Sequence, residues 1–464
     1  MLMLWVLEPS KNMKFSILKE DITPHIPVYL CGFAARVDRR SEGVHDALFA
    51  SVVILQKNKT VIIITLDLIG GDRSFAWGIK KTINERFGIS EDEIIINFSH
   101  THSAVAVTGD DESRRDKSYS FNVYKSLPGV ENDFTEDIKY YNIVKTKIIN
   151  MIDIGLNNLI DGDAYVLRGR SDFGVSRRYP SENDVLWKPY FNEDCMDPDL
   201  YLIKLVDNNG RLHGLLYNYA CHATAMNSSN YLISADYPGV VRKVLEKQNP
   251  GMVAVFLQGC GADIKPVVSA QDGEFKHCTF EELEESGAAF AAEIQNLLEK
   301  SEGVDAKLSW RKINVNLQTK SADIKLYSEI WSAQRWKAIA DDPDMPEYMK
   351  PYIKKKVAQI NEGNANNYIP YNISYLRLDD KTGIIALENE VVSDIGKDIK
   401  KIFDDESIIV LGYSNSVGGY IPTKKVISDG GYESLSFMGM GLPGQFVDEI
   451  EDIIIGRVAI MIKG

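Results

Sequence analysis

Ile94-Ile95-Ile96-Asn97-Phe98-Ser99-His100-Thr101-His102-Ser103 is an apolar run that breaks into a polar turn carrying two histidines. The run reads as a buried strand. Side chains of an extended chain alternate faces with period two, so positions 100 and 102 leave the strand end pointing the same way. Imidazole is the commonest zinc ligand and the usual acid–base group near neutral pH. The chain has only 7 His in 464 residues, and a pair aimed into one space points to a metal or proton-transfer site. Taken alone, the stretch is equally a pair of polar residues closing a strand.

Working outward, the same alternation of apolar strand and amphipathic helix recurs on both sides. Upstream, residues 15–18 read as a strand, and 30–43 as an irregular basic segment with Arg36, Arg39 and Arg40. Two β-branched runs, 51–56 and 61–67, flank Lys57-Asn58-Lys59, a strand–turn–strand signal, and Trp77, Ile79, Ile83 and Phe87 have helical spacing. Downstream, 104–133 is polar, with Asp110-Asp111-Glu112 and Arg114-Arg115, and reads as a long loop or lid. A helix over 134–154 and a strand over 164–168 follow, then a loop, 174–179, holding Arg177 and Arg178.

Strands at 200–207 and 214–219 lead to Cys221-His222, and a strand at 252–257 leads to a Gly-rich turn from Gln258 to Pro266. Residues 280–300 form the clearest helix. The region 324–362 carries helices broken near Pro343-Asp344-Met345-Pro346, with Trp331 and Trp336 read as packing residues. Paired strands at 374–378 and 383–388 precede Glu390, which opens a helix. A strand over 407–413 leads to Gly418-Gly419-Tyr420 and Gly430-Gly431-Tyr432-Glu433. No internal repeat, low-complexity tract or linker is legible. The expected fold is α/β, with mixed twisted β-sheets flanked by helices. Residues 1–13 are expected to be an N-terminal extension and 14–464 a single catalytic domain with a helical insertion at about 324–362.

Hydrophobic content of 44% and charged content of 25% are ordinary globular values that allow a large core. A net charge of −14 argues against non-specific nucleic-acid binding, which needs a basic face. The 5 cysteines are widely spaced without a Cys-x-x-Cys, so a reducing compartment, the cytoplasm, is expected. The first dozen residues lack a basic region and a cleavage site, and no apolar run approaches the roughly 20 residues of a membrane span, so neither a signal peptide nor a span is expected. The expected partner is a small-molecule substrate; a homo-oligomer stays open.

Three strand ends stand out: His100/His102, His222 and Glu388/Glu390. Two neutral imidazoles and one carboxylate make a usual catalytic zinc set with a position left for water or substrate. Further landmarks run in order along the chain: Gly43-Val44-His45, Leu66-Asp67, Ser99 through Ser103, Ser176-Arg177-Arg178, Asn218 through His222, Ser234-Ala235-Asp236-Tyr237-Pro238-Gly239, Gln258 through Pro266, Leu387 through Glu390 and the two tyrosine motifs. In these the chain resembles the neutral/alkaline (non-lysosomal) ceramidases and their bacterial relatives, from about residue 15 to the C-terminus.

The resemblance implies zinc held by His100, His222, Glu390 and Tyr420, with His102, Arg177 and Tyr432 lining the substrate site; Arg178 is the alternative to Arg177. It also exposes departures. The family's Gly-Pro after the His-Thr-His-Ser motif is Ala104-Val105, its functional serine corresponds to Lys265, and its Pro-Gly before the ligand glutamate corresponds to Glu388-Asn389. The family ceramidases also carry a signal peptide and a C-terminal β-sandwich, neither of which is expected here.

The metal cradle is thus expected intact and the substrate surroundings changed. The expected activity is a zinc-dependent hydrolase cleaving an amide or related bond, with Lys265 among the catalytic groups. Lys265 and Arg177 suggest a polar substrate, a carboxylate or acidic sugar included, whereas the other arginines are expected to be solvated. Alternatives are a zinc-assisted sugar lyase or epimerase on the same site, and a metal-containing binding protein without turnover.

Overall fold

The apolar runs show little polar alternation, the pattern of strands covered on both faces. In the computed structural model, residues 13–463 are described except 26, 34–35, 37–39, 111–134, 183, 300–308, 344, 346–349 and 404–406. Their largest element is a nine-stranded mixed sheet. Its strands are β1 (Lys14–Asp21), β2 (Phe49–Gln56), β3 (Thr60–Leu66), β4 (Ile94–Phe98), β5 (Ile160–Arg170), β6 (Asp199–Asp207), β7 (Leu212–Tyr219), β8 (Val253–Gln258) and β9 (Arg311–Ile313). Across the sheet the order is β8-β7-β6-β5-β1-β2-β3-β4, with β9 also on β5. A four-stranded sheet follows: β10 (Gln318–Tyr327), β11 (Tyr368–Asp379), β12 (Thr382–Leu387) and β13 (Ser407–Leu411).

Period-two alternation sorts the strand residues into two buried layers. Val52, Ile54, Ile62 and Ile64 pack with helices α1 (Arg73–Phe87) and α2 (Thr135–Asn157). Their neighbours Val53, Leu55, Val61 and Ile63 face the other way, meeting Leu376, Leu378, Ile384 and Ile409 of the second sheet. In β7, Leu215 faces α3 (Asp236–Gln248) and α4 (Phe280–Glu299), whereas Leu216 joins the layer between the sheets. Helices α5 (Ala333–Ala340), α6 (Lys350–Asn361) and α7 (Ser393–Lys401) cover the far side of the second sheet, where Trp331 and Trp336 pack with ring centroids 5.8 Å apart.

One order of elements occurs three times: two antiparallel strand pairings, a loop, a helix, and a strand parallel to the third. It is β1-β2-β3-α1-β4, then β5-β6-β7-α3-β8, then β10-β11-β12-α7-β13. This corrects the expectation of no repeat. The repetition lies in hydrogen-bond order and burial, which many different apolar residues satisfy equally, so residue identities do not carry it.

The ends of the three parallel strands meet, through bridges Asn97↔Ser414 and Gly259↔Leu411. Asn97, fully buried, accepts from the Gln258 N–H at 2.8 Å and donates to the Gly412 carbonyl at 2.8 Å. Asn97→Ala is expected to leave the Gln258 N–H unpaired and to cost about 1–3 kcal/mol in urea unfolding. Stability equal to the unchanged protein would show that these strand ends are not held by this side chain.

Two local expectations change. Residues 174–179 are a strand, Gly174–Pro180, paired with Val185–Tyr190 and Ile264–Pro266, rather than a loop. Their polar side chains read as loop composition, but several are buried against partners in the site described below. Ile324 lies in β10, and α5 and α6 occupy the β10–β11 connection. Arg39, Arg114, Arg115, residues 1–12 and most of the 104–133 stretch lie outside the described residues. Among the described residues no helix is long and apolar enough to cross a membrane.

Candidate metal centre

The loops following β3, β4, β7, β8, β12 and β13 gather where the parallel strands end, the usual place for a site in such sheets. His100 stands two residues beyond β4, His222 three beyond β7 and Glu390 three beyond β12. His100 Nε2 lies 3.1 Å from Glu390 Oε2, and His222 Nε2 lies 3.2 Å from the same oxygen. These approaches are not aligned as hydrogen bonds: His222 Nε2 and Glu390 Oε2 are buried without a hydrogen-bond partner.

The opposite ring nitrogens explain the arrangement. His100 Nδ1 is 2.5 Å from the Ile69 carbonyl and His222 Nδ1 is 2.7 Å from the Gly261 carbonyl. A carbonyl only accepts, so both Nδ1 atoms carry the proton and both Nε2 lone pairs face the shared space. That is the outer-shell bonding of metal-ligating histidines. Burial lowers the His222 imidazole to about 4, against the pull of Glu390. Burial also pushes the Glu390 carboxyl up, but His100 and His222 outweigh it and hold Glu390 well below the usual carboxylate range. Lone pairs from two imidazole rings and a carboxylate, converging on one space, fit a divalent cation.

Tyr420 is the register partner of Glu390 in the parallel pair Glu390–Val391 and Tyr420–Ile421, which sets the two side by side. Its ring stacks 6.4 Å from that of His222, and burial, then Glu390, pushes its hydroxyl well above the ordinary value. His102 stands beside the cluster, 4.9 Å from the His100 ring and 5.5 Å from that of His222. Donor atoms of His100, His102 and His222 all lie within 4.8 Å of one another, so a three-histidine set is the alternative to His100, His222 and Glu390. No carbonyl orients His102, however: both its ring nitrogens are buried without a hydrogen bond. Burial, then the neighbouring histidines, holds it well below the ordinary value and therefore neutral. Gly32, with φ +102, packs against this ring; a Cβ there would come within 2.4 Å of it.

Arg177, on the strand Gly174–Pro180, reaches in from another side. Its Nε donates to Glu433 Oε1 at 2.7 Å, and Arg178 donates to the other Glu433 oxygen. The two guanidiniums therefore share one carboxylate and bring one net positive charge rather than two. The Cζ of Arg177 lies 4.2 Å from the Trp187 ring, 5.3 Å from Tyr420 and 5.7 Å from Tyr432. Tyr432 is 53% exposed and forms the rim with Trp187, 5.2 Å away. Lys265 is buried and donates to the Thr224 carbonyl at 3.0 Å and its hydroxyl at 3.1 Å, with burial, then Arg177, lowering its ammonium to about 8. The four expected ligands thus cluster with His102, Arg177 and Tyr432, and Lys265 lies close enough to His102 and Arg177 for their charges to interact.

Arg36 corrects the expectation of solvation. It is buried, donates to the carbonyls of His102, Asn227 and Ser228, and staples three loops. Trp187, Glu433 and Tyr413 were not assigned from sequence. Glu433 was legible only as part of its tyrosine motif, and nothing local marks Trp187.

Glu388, at a departure from the family pattern, is paired with Arg73 and accepts from the Asn372 N–H at 2.6 Å. Burial, against the pull of Arg73, raises its carboxyl from 4.5 to about 7. The folded chain holds a proton there that the unfolded chain has already lost, so this contribution to stability is full below about pH 4.5 and fades as pH rises through about 7. Glu388→Gln is expected to flatten that part of the pH–stability curve. An unchanged slope in denaturant titrations across this window would count against the assignment.

Residues 16–329 match the family profile "Neutral/alkaline non-lysosomal ceramidase, N-terminal". The neutral ceramidase of Drosophila melanogaster is 24% identical over 274 residues, 55% of this chain and 36% of that protein. That of Pseudomonas aeruginosa is 22% identical over 271 residues, 56% of this chain and 38% of that protein. The match thus spans about a third of the length of these curated relatives. The crystal structure of the Pseudomonas aeruginosa neutral ceramidase superimposes with a TM-score of 0.70 at 16% identity, over 97% of this chain and 74% of that one. At that identity the likeness shows the fold.

Proposed function

Because this chain belongs to the neutral/alkaline non-lysosomal ceramidase family, we propose that it is a zinc-dependent hydrolase of an N-acyl amide bond. The observation that carries the reading is the pair of imidazoles whose Nε2 atoms meet on one Glu390 oxygen, each ring fixed from behind by a backbone carbonyl, with His222 Nε2 and that oxygen lacking a hydrogen bond. His100, His222, Glu390 and Tyr420 would hold the metal. When bound, zinc in such a set supplies Lewis acidity and acidifies water.

The remaining groups serve the substrate. Arg177, held protonated by the Tyr420 and Glu433 oxygens against the cost of burial, has a buried Nη2 without a hydrogen bond of its own. It can donate to a carbonyl oxygen on which charge develops. His102, neutral and unpartnered, can take a proton and return it to the leaving amine. Tyr432 orients the substrate at the rim. Lys265, a buried ammonium with the Arg177 guanidinium near it, favours a polar acyl or amine part over two long hydrocarbon chains. The cytoplasm is the proposed compartment, on the absence of any disulfide among the described cysteines.

The test is metal analysis of the purified chain joined to a substrate panel. Ceramide, the substrate that names the relatives, is compared with short N-acyl amines bearing polar or acidic groups, and release of free amine is measured. Stoichiometric zinc with amine release from the polar members is expected. A chain without bound metal, or one releasing no amine from any member, would overturn the reading; preference for ceramide would overturn its substrate part.

A further inference from the structure

We propose that Tyr413 is a positioning residue for the metal-ligating side chains, an inference that rests on the metal reading above. Tyr413 is fully buried, its ring stands against those of His100 and His222, and its N–H reaches the residue before Glu390. Its hydroxyl lies 3.3 Å from His222 Nδ1, the atom that also faces the Gly261 carbonyl at 2.7 Å. The Nδ1 proton therefore has two acceptors behind it, both favouring the tautomer with Nε2 free. The Tyr413 ring lies 4.4 Å from the His100 ring, tilted by 39°, and limits its rotation. The Tyr413 N–H donates at 2.8 Å to the carbonyl of Asn389, the residue before Glu390, and its carbonyl accepts from the Phe98 N–H at 3.0 Å, at the end of the strand that delivers His100.

The backbone and the threefold order of elements argue the same point independently. Tyr413 has φ 50, in the left-handed region that side chains larger than glycine rarely adopt, and such conformations persist where the surroundings over-determine them. Tyr413 stands two residues beyond β13, as His100 stands two beyond β4, and His100 has φ 60. The same turn is therefore built twice. In the first unit it turns a ligand into the site, and in the third it turns a hydroxyl-bearing ring against the backs of the ligands.

Outer partners of metal-bound histidines typically change metal affinity by about 10–100-fold when removed. Tyr413→Phe keeps the ring and deletes only the hydroxyl. Cobalt(II) and zinc(II) affinities are measured by chelator competition, with the visible spectrum of the cobalt form as a second readout. Tyr217→Phe is the control for loss of a buried tyrosine hydroxyl elsewhere, since Tyr217 donates to the Pro238 carbonyl at 3.1 Å. The expected result is about tenfold weaker metal binding and a shifted cobalt spectrum in Tyr413→Phe, with neither change in Tyr217→Phe and similar melting of both metal-free variants. Unchanged affinity and spectrum in Tyr413→Phe would overturn the proposal while wild-type metal binding stands. A wild type that binds neither metal would instead overturn the metal reading itself.

Discussion

His222→Ala is expected to abolish stoichiometric metal binding and, with it, hydrolysis. The ring supplies one of two imidazole nitrogens on Glu390 and is fully buried. Its Nδ1 is held from behind by the Gly261 carbonyl and the Tyr413 hydroxyl, so the ring is fixed with Nε2 towards Glu390. The loss in metal affinity is expected to exceed the roughly 10–100-fold that removal of an outer partner costs. His100→Ala is expected to behave alike. His102→Ala separates the two donor sets: the variant is expected to retain metal and lose turnover, since no carbonyl orients that ring. Metal loss in His102→Ala equal to that in His222→Ala would make the three-histidine set the correct one. Metal content and amine release, measured on the same preparations, decide between them.

Glu433→Ala is expected to destabilise the chain by about 3–5 kcal/mol, because it leaves buried guanidiniums without their carboxylate. The side chains of Arg177 and Glu433 are 3% and 1% exposed, and that of Arg178 is 9% exposed, so water cannot replace the lost partner cheaply. Burial pushes the Glu433 carboxyl up, yet Arg177 and Arg178 outweigh it and hold it below the usual range. The pair also aims Arg177 at Tyr420, so the variant is expected to lose amide hydrolysis even where it stays folded. Urea unfolding measures the first effect. A change below about 1 kcal/mol would mean that Arg177 and Arg178 find other partners and that Glu433 does not hold the substrate side of the site.

Much of the site was legible before any tertiary contact was considered. His100 and His102 follow an apolar strand, His222 follows another, and Glu390 a third, so residue type and strand ends together marked the candidate donors. The polar strand Gly174–Pro180 was misread as a loop because its side chains are satisfied by distant groups, Glu433 above all. Arg36 was read as solvated because an arginine in an irregular segment usually is, whereas here three backbone carbonyls replace its water. Neither case has a local signal: the partners lie 192 residues away for Ser228 and 256 for Glu433.

By itself the sequence determined the strands, the helices between them and which side chains stand at the strand ends. Those features follow from periodicity and local backbone geometry, which act over a few residues. Only the tertiary structure decided that β4, β7 and β12 end around one space, that Ile69 and Gly261 set the histidine tautomers, and that one unit is built three times. Convergence depends on register between segments far apart in the chain, and register is settled when two sheets bury a common apolar layer.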